Sequence, residues 1–457
     1  MSFTSVIDES LSSVCEIVWS WPLIISIMII GVYFSFKLGV LRFSALKLSM
    51  KSILHREESD GDISVFASLC TALSSTIGTG NIVGIAVAIS IGGPGSLLWL
   101  WVSSVFSLAI KYAEGLLSIK YRKIGKDGRV SGGPMYYIEL GMKKSNPVFT
   151  KILAKSFAIF GGIVTILGTG TFAQSNSIAI SLQSSFGCPI ILSAIVIGLF
   201  TALITFGGLH RISTVSEKLV PLMAIFYVGS AILVLLLNIK SIPHIFSMIL
   251  DEAFSSNSIF GGGIAHIVSV GVRRGIYSHE SGLGSAAIAS ATAKTNSPAI
   301  QGFVSMAGAI FSVIICSMTG LVLIMTCDAT GLFSGSCELK GAALTSYAFG
   351  HGLGIVHLGK YVVDIGISLF AFTTIIGWNY YGEKCTQYVF GDGAITAFKI
   401  LYIACVIAGP FFSINTILLI ADIFTGFMAL TNLIGIVKLR KVVIEETLSF
   451  WRSYRNS

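Results

Sequence analysis

The sequence predicts an all-α polytopic membrane protein of about eleven transmembrane helices: one extra N-terminal helix, then a five-plus-five inverted repeat containing two broken helices. Three observations carry that expectation. Of the 457 residues, 54% are hydrophobic and only 11% are charged, and the mean hydropathy is +0.85. Apolar stretches of spanning length recur along the whole chain, which leaves no room for a separate soluble domain. Two of those stretches are interrupted by glycine, hydroxyl or charged residues where a helix in lipid would be continuous.

The first apolar run, Ile17 to Phe36, follows a start that carries Asp8, Glu9 and Glu16 but no Lys or Arg. A cleaved leader begins with basic residues and has a shorter apolar core, so this run reads as a retained helix. A basic loop leads to Asp62. The second run, Ile63 to Ile91, holds Ser74-Ser75-Thr76-Ile77-Gly78-Thr79-Gly80-Asn81-Ile82-Val83-Gly84 at its middle. Glycines and hydroxyls at that density make a poor helix, and unwound backbone survives in a bilayer only where protein or a cavity surrounds it.

After the turn Gly92-Gly93-Pro94-Gly95 comes a span from Ser96 to Tyr121, whose Lys111 and Glu114 read as an i,i+3 ion pair at the inner rim. The polar stretch between Lys123 and Lys155 includes Gly132-Gly133-Pro134-Met135-Tyr136-Tyr137, read as a short interfacial segment. A span from Phe157 to Phe186 carries Gln174 and Asn176 near its middle, and amides there must find partners in a helix or a ligand. Packing helices follow at Ile190 to Phe206 and Val215 to Leu237, then an external segment from Lys240 to Asn257.

The second irregular span, Phe260 to Ala291, contains Gly261-Gly262-Gly263 and then Arg273, Arg274, His279 and Glu280. So many ionisable groups cannot face lipid. The remaining spans are Ala299 to Met325, Tyr361 to Gly382, Ile395 to Ser413 and Thr416 to Val437, the last with Asp422 as a structural acid. The resulting boundaries are 1–61 for the extra helix and basic loop, 62–240 and 241–437 for the two halves, and 438–457 for a tail.

The net charge of +8 does not mark a nucleic-acid binder, because of where the basic residues lie. With loops assigned alternately, Lys37, Arg42, Lys47, Lys51, Arg56, the basic run from Lys120 to Lys155, Arg211, Lys218, Lys294, Lys384 and the residues beyond Lys438 share one side. That bias predicts a cytoplasmic C-terminus, an external N-terminus and a multi-pass protein of a cell inner membrane. The 8 cysteines form no C-x-x-C pair, so neither zinc nor redox chemistry is indicated. Cys327 and Cys337 flank one loop and could pair on an oxidising face, but read as free thiols.

A helix broken at Gly78 to Gly80 frees N–H groups on one side of the break and carbonyls on the other. The first attract a carboxylate, the second a small cation. A zwitterion such as an amino acid meets both demands, and a coupled Na⁺ would find neutral oxygens in carbonyls and in the hydroxyls of Thr373 and Thr374. Each feature also has a plainer account. Gly80 and Gly84 form a small-x-x-x-small pair that lets helices approach, threonines back-bond within their own helix, Gln174 and Asn176 could bridge helices, Trp378 could be packing, and Arg274, His279 and Glu280 could form a structural ion cluster.

These residues resemble the alanine or glycine:cation symporter family. The likeness lies in Gly78-Thr79-Gly80-Asn81-Ile82-Val83-Gly84 with Gly92-Gly93-Pro94-Gly95, in Gln174-Ser175-Asn176, in Arg273-Arg274-Gly275 running into Ser278-His279-Glu280-Ser281-Gly282-Leu283-Gly284-Ser285, and in Gly377-Trp378-Asn379-Tyr380-Tyr381-Gly382-Glu383. It covers nearly the whole chain. The resemblance implies a leucine-transporter-like fold and Na⁺- or H⁺-coupled uptake of alanine, glycine or similar amino acids by alternating access. It further implies that Thr79 and Gly80 amides and Gln174 meet the substrate carboxylate, that unwound carbonyls near Tyr277 and Ser278 face its ammonium, and that Trp378 closes the side-chain pocket. Sodium would lie between the carbonyls of Ser74, Ile77 and Phe370 and the hydroxyls of Thr373 and Thr374, with Asn81, Arg274, His279 and Glu280 in coupling or structural roles. Two departures stand out: His279 where the family usually has Asn, and Thr431-Asn432 where it often has Pro-Asn. A proton-coupled carrier or exchanger using His279 or Glu280 is the alternative, and a channel is a weaker one. An enzyme is not indicated, since neither H-E-x-x-H nor a nucleophile pair is present.

Overall fold

Capping residues set where the helices begin. Ser64 accepts the Ala67 N–H at 3.0 Å, Asn146 accepts those of Val148 and Phe149, and Ser297 accepts that of Ile300, each satisfying a donor the first turn leaves open. The computed structural model describes residues 3–456 apart from 56, 58, 126–127, 144–145, 256–262, 333–338 and 413. Arg56, Asn257, Phe260, Gly261, Gly262, Cys337 and Ser413, all named above, lie outside the described residues.

In chain order the helices are α1 (Phe3–Val18), α2 (Trp21–Leu38), α3 (Phe43–Ser52), α4 (Val65–Thr76), α5 (Val83–Gly92), α6 (Ser96–Lys120), α7 (Pro134–Gly141), α8 (Pro147–Leu167), α9 (Phe172–Phe186) and α10 (Ile190–Thr205). They continue as α11 (Gly208–Leu237), α12 (Ile242–Ala253), α13 (Gly263–His279), α14 (Ser285–Ser290), α15 (Pro298–Ala329), α16 (Gly341–Gly352), α17 (Val356–Phe390), α18 (Ile395–Ala408), α19 (Ile414–Lys438) and α20 (Arg440–Asn456). The only sheet among the described residues is a hairpin of β1 (Lys123–Ile124) and β2 (Val130–Ser131).

The all-α polytopic reading holds. Among the described residues 8 helices are long and apolar enough to cross a membrane, and 9 spans result if the bent pair α4 and α5 is counted as one. Those two helices meet at 68°. Helix α10 is apolar but has 16 residues, fewer than the ~20 of a straight span. Helices α13 and α14 are separated by the non-helical residues 280–284.

Some boundaries moved. The span expected from Phe157 starts at Pro147, because Asn146 caps it and Pro147 takes the first-turn position, and it breaks at 168–171. There the Tyr402 hydroxyl lies 2.6 Å from both the Gly170 and the Ile375 carbonyl oxygens, with one proton to share between them. The external segment after Lys240 forms α12, and the stretch between α15 and α17, unassigned from sequence, contains α16.

Backbone hydrogen bonds tie the start of α4 to the end of α14. The Asp62 and Ile63 N–H groups donate to the Thr292 carbonyl and the Lys294 N–H to the Ile63 carbonyl, a parallel bridge between the start of α4 and the end of α14. Arg122 closes over it, donating to the carbonyls of Asp60, Ala291, Ala293 and Thr295. Burial pushes the Asp62 carboxyl above its ordinary range, although the Val130 N–H bonds to it.

Candidate functional site

Helix α4 ends at Thr76, and Ile77 and Gly78 run extended before the short turn Thr79–Asn81. Asn81 shapes the break. Its Oδ1 accepts the Gly78 N–H at 3.2 Å, while its Nδ2 faces the Ser278 hydroxyl at 3.1 Å, the Ser312 hydroxyl at 2.8 Å and the Cys316 sulfur at 3.2 Å. One buried amide thus joins the first break to α13 and α15. The N–H groups of Thr79 and Gly80 open the turn, in the positions a helix leaves without internal partners. Thr79 is half-buried and Gly80 exposed, whereas Ser74 through Gly78 are buried. A Cβ on Gly80 would meet nothing within 4 Å, while one on Gly78 would fall 2.8 Å from Thr374 Oγ1 and 3.4 Å from Gln174 Nε2.

The residues expected to hold sodium converge here. Thr374 Oγ1 lies 3.3 Å from the Ile77 carbonyl and 2.9 Å from that of Phe370, to which Thr373 Oγ1 also donates at 3.0 Å. Ser74 stands in the last turn of α4, where carbonyls lack helical partners. Its own hydroxyl is bonded to Thr71. All these oxygens are neutral, which suits a monovalent hard cation better than a divalent one. No cluster of His, Cys, Asp and Glu able to hold a metal occurs among the described residues.

Gln174, at the start of α9, is buried, and its Oε1 has no hydrogen-bond partner. A buried amide oxygen left open is costly. Trp378 is buried on α17, its indole N–H 3.3 Å from the Ser75 carbonyl, so it seals α17 against α4 beside the break.

The second break differs from the expectation. Tyr277 and Ser278 are not unwound: they form the last turn of α13, and the helix ends only after His279. Unwinding begins at Glu280, whose φ of 51° is left-handed, and continues through Gly282 and Gly284, with φ of 88° and 78°. The Ser278 carbonyl accepts the Ser312 hydroxyl at 2.6 Å. The Tyr277 ring lies against Trp19, centroids 4.6 Å apart, with Arg273 over both rings. The Tyr277 ring therefore faces the turn between α1 and α2 rather than the first break.

Glu280 pays for a conformation worth about 1–2 kcal/mol with contacts on both its ends. Lys111 Nζ donates to its carbonyl at 3.3 Å and Ser285 Oγ to its carboxylate at 2.5 Å, with Thr76 Oγ1 at 3.5 Å. His279 is fully buried, and its Nδ1 accepts the Ser281 N–H at 3.1 Å. Arg274 braces the first broken helix: Nε donates to the Gly84 carbonyl at 2.6 Å, and a Cβ on Gly84 would fall 1.5 Å from its guanidinium. Asp422, on α19, opposes the charge of Arg273 and Arg274, and its carbonyl accepts the Trp19 indole N–H.

Sequence reasoning missed the role of Glu114. Its side chain is 3.9 Å from Lys111, but the pair is inside the bundle, 1% and 5% exposed, not at the rim. Glu114 Oε1 accepts the N–H groups of Gly282 at 2.9 Å and Gly284 at 3.1 Å and the Asn432 amide at 2.8 Å. The Tyr137 hydroxyl donates to Asn432 Oδ1, so the predicted interfacial segment is helix α7, packed against the second break. An acid well inside an apolar span was the available signal.

Comparison with known proteins shows what the whole chain resembles. A family model described as the sodium:alanine symporter family matches residues 4–457. An uncharacterized transporter of Haemophilus influenzae is 43% identical over 452 residues, covering 98% of this chain and 96% of its own. The sodium/alanine symporter AgcS of Methanococcus maripaludis is 38% identical over 454 residues, covering 98% of each. Among solved structures, MhsT in complex with L-phenylalanine superposes with a TM-score of 0.54 at 15% identity, over 87% of this chain and 100% of that one. That likeness shows the leucine-transporter-like fold.

Proposed function

The chain belongs to the sodium:alanine symporter family, and from that premise we propose that it imports alanine, glycine or a similarly small neutral amino acid with Na⁺ by alternating access. Membership makes it a sodium-coupled amino-acid symporter of the membrane and not an enzyme; the substrate and the residues that bind it are our reading. The observation that carries that reading is the meeting of the Ile77 and Phe370 carbonyls with the Thr373 and Thr374 hydroxyls beside the break.

In this reading Na⁺ takes those oxygens together with the Ser74 carbonyl. The substrate carboxylate takes the open amides of Thr79 and Gly80 and the Gln174 amide. Its ammonium faces the region of the second break, where the carbonyls of Ser278, Glu280, Gly282 and Gly284 are already engaged, so the Tyr277 carbonyl is the better partner. Trp378 limits the side chain to a small one. Asn81, Arg274, His279 and Glu280 position the two breaks. Because both ligands order one segment, each raises the affinity of the other. The five-plus-five repeat, the external N-terminus and the cytoplasmic C-terminus belong to the same proposal.

Uptake of alanine into proteoliposomes, with and without an inward Na⁺ gradient at matched pH and potential, tests it. Accumulation above equilibrium driven by sodium supports the reading, and Thr374→Ala should then raise the sodium requirement more than it weakens alanine competition by glycine. Uptake driven only by a proton gradient would overturn the sodium site and turn attention to His279 and Glu280. Equal loss with every ion and substrate in Thr374→Ala would remove Thr374 from it.

A further inference from the structure

Helix α2 exposes Trp21, Ile25, Ile29, Tyr33 and Phe36, and between it and the end of α19 lies a groove of about 220 Å³. Ile29, Ile30, Tyr33, Phe34 and Val437 line it, together with Arg440, the first residue of α20. The lining is otherwise apolar. Ile29 is 62% exposed and Tyr33 37%, so the groove opens towards the bilayer and not into the bundle.

The direction of the groove matters more than its volume. Ile29, Tyr33 and Lys37 follow one another at a spacing of four residues, which puts them on one face of α2. From Ile30 to Lys37 the helix rises about 10 Å, towards the basic stretch that follows α2 in the chain, with Arg42, Lys47 and Lys51. Lys37, Arg440 and Lys441 are all exposed. None of the three enters an ion pair among the described residues. Arg440 spends one N–H on the Val437 carbonyl, at 3.0 Å, which fixes its guanidinium at the groove with donors to spare.

An acyl chain gains little by leaving bulk lipid for an apolar groove, since lipid tails are as apolar as leucine. Selectivity must come from the charged end. A guanidinium offers a phosphate two parallel hydrogen bonds, an aromatic residue with a hydroxyl suits the depth of the glycerol backbone, and a second ammonium beside them favours a headgroup with net negative charge. We propose that this groove binds one anionic phospholipid of the leaflet on the side of the basic loops, with an acyl chain along α2 and its phosphate held by Arg440 and Lys37. The site is separate from the transport pathway, so its test does not depend on which solute is carried.

The experiment uses the full chain in a neutral detergent. Phosphatidylglycerol and phosphatidylcholine are titrated in parallel, and bound lipid is counted by native mass spectrometry. Each basic side chain is worth roughly a fivefold preference, the factor equivalent to about 1 kcal/mol, so the wild type should favour phosphatidylglycerol by at least roughly tenfold. The double variant K37Q/R440Q should lose that preference, and Ile30→Trp, which fills the groove without changing charge, should lose the bound lipid. Circular dichroism and a monodisperse elution profile confirm that both variants fold. Equal binding of the two lipids to the wild type, or a preference that survives in either variant, overturns the proposal. A lipid-free dimer that these substitutions dissociate would overturn it in favour of a contact between two copies of the chain.

Discussion

Replacing Glu114 by alanine removes one acceptor from three buried donors, the Gly282 and Gly284 N–H groups and the Asn432 amide. Glu114 is 1% exposed, so water cannot take its place. A buried donor left unsatisfied costs about 1–3 kcal/mol, and three of them about 3–9 kcal/mol, which is comparable with the whole 5–15 kcal/mol stability of a typical domain. Glu114→Gln retains an oxygen but not the charge. Charge-assisted bonds are roughly twice as strong as neutral ones, and a neutral bond is worth about 1 kcal/mol, so this variant should lose about 3 kcal/mol and still fold. Thermal unfolding of the purified protein in detergent and sodium-driven uptake in proteoliposomes are the assays. Glu114→Ala should fail to accumulate as folded protein. Glu114→Gln should melt at a lower temperature and show a raised KM with a smaller change in maximal rate, because the segment 280–284 is less firmly held. An alanine variant that melts like the wild type and keeps its KM refutes the argument.

Other substitutions probe the remaining braces. Asn81→Ala leaves the Gly78 N–H open and frees Ser278 and Ser312, a loss of about 2–4 kcal/mol; Asn81→Asp keeps the acceptor for Gly78 but loses the Nδ2 donor and buries a carboxylate, so it should not restore the stability, and melting of either variant like the wild type would count against this role. Arg122→Ala removes four hydrogen bonds to the carbonyls of Asp60, Ala291, Ala293 and Thr295. Amide exchange over residues 60–65 and 291–295 should quicken, with Arg122→Lys giving little rescue because a lone ammonium cannot span four acceptors; unchanged exchange would show that the backbone bridge suffices.

Much of this molecule could be read from the chain because the bilayer imposes simple demands. Apolar runs and basic loops located the spans, and glycine with hydroxyl residues located the first break, where Gly78 accommodates Thr374 and Gln174. The adjacent hydroxyls of Thr373 and Thr374 suggest neutral oxygens for a cation, and the structure brings Thr374 to the Ile77 carbonyl at the first break. What was hidden depended on contacts between distant segments. Nothing near Glu114 in sequence indicates Gly282, Gly284 or Asn432, and an i,i+3 lysine offered a sufficient local partner. The second break was placed too early for a similar reason: the charged run from Arg273 looked unsuited to a helix, but Gly84 accepts Arg274 and Trp19 covers Arg273, so α13 continues to His279.

The braces fall into two groups, and their arrangement bears on how the protein would move. The start of α4 and the end of α14 are tied by the bridge at Ile63 and Ala293 and by Arg122. On the other side of the breaks, α5 and α13 are tied by Arg274 and Gly84. Halves of the two broken helices are therefore paired across, α4 with α14 through backbone-to-backbone hydrogen bonds reinforced by Arg122, and α5 with α13 through the Arg274 side chain. The soft backbone lies between the pairs, at Ile77 to Gly80 and at Glu280 to Gly284, where left-handed and extended residues replace helical hydrogen bonds. A hinge belongs where a few such residues can absorb the change in φ and ψ. The oxygens proposed for sodium and the amides proposed for the carboxylate are at the first of these hinges, so ligands bound there act directly on the angle between the pairs. A ligand can shift an equilibrium only through a difference in its affinity for the two states, and a site built from the hinge itself cannot avoid having one.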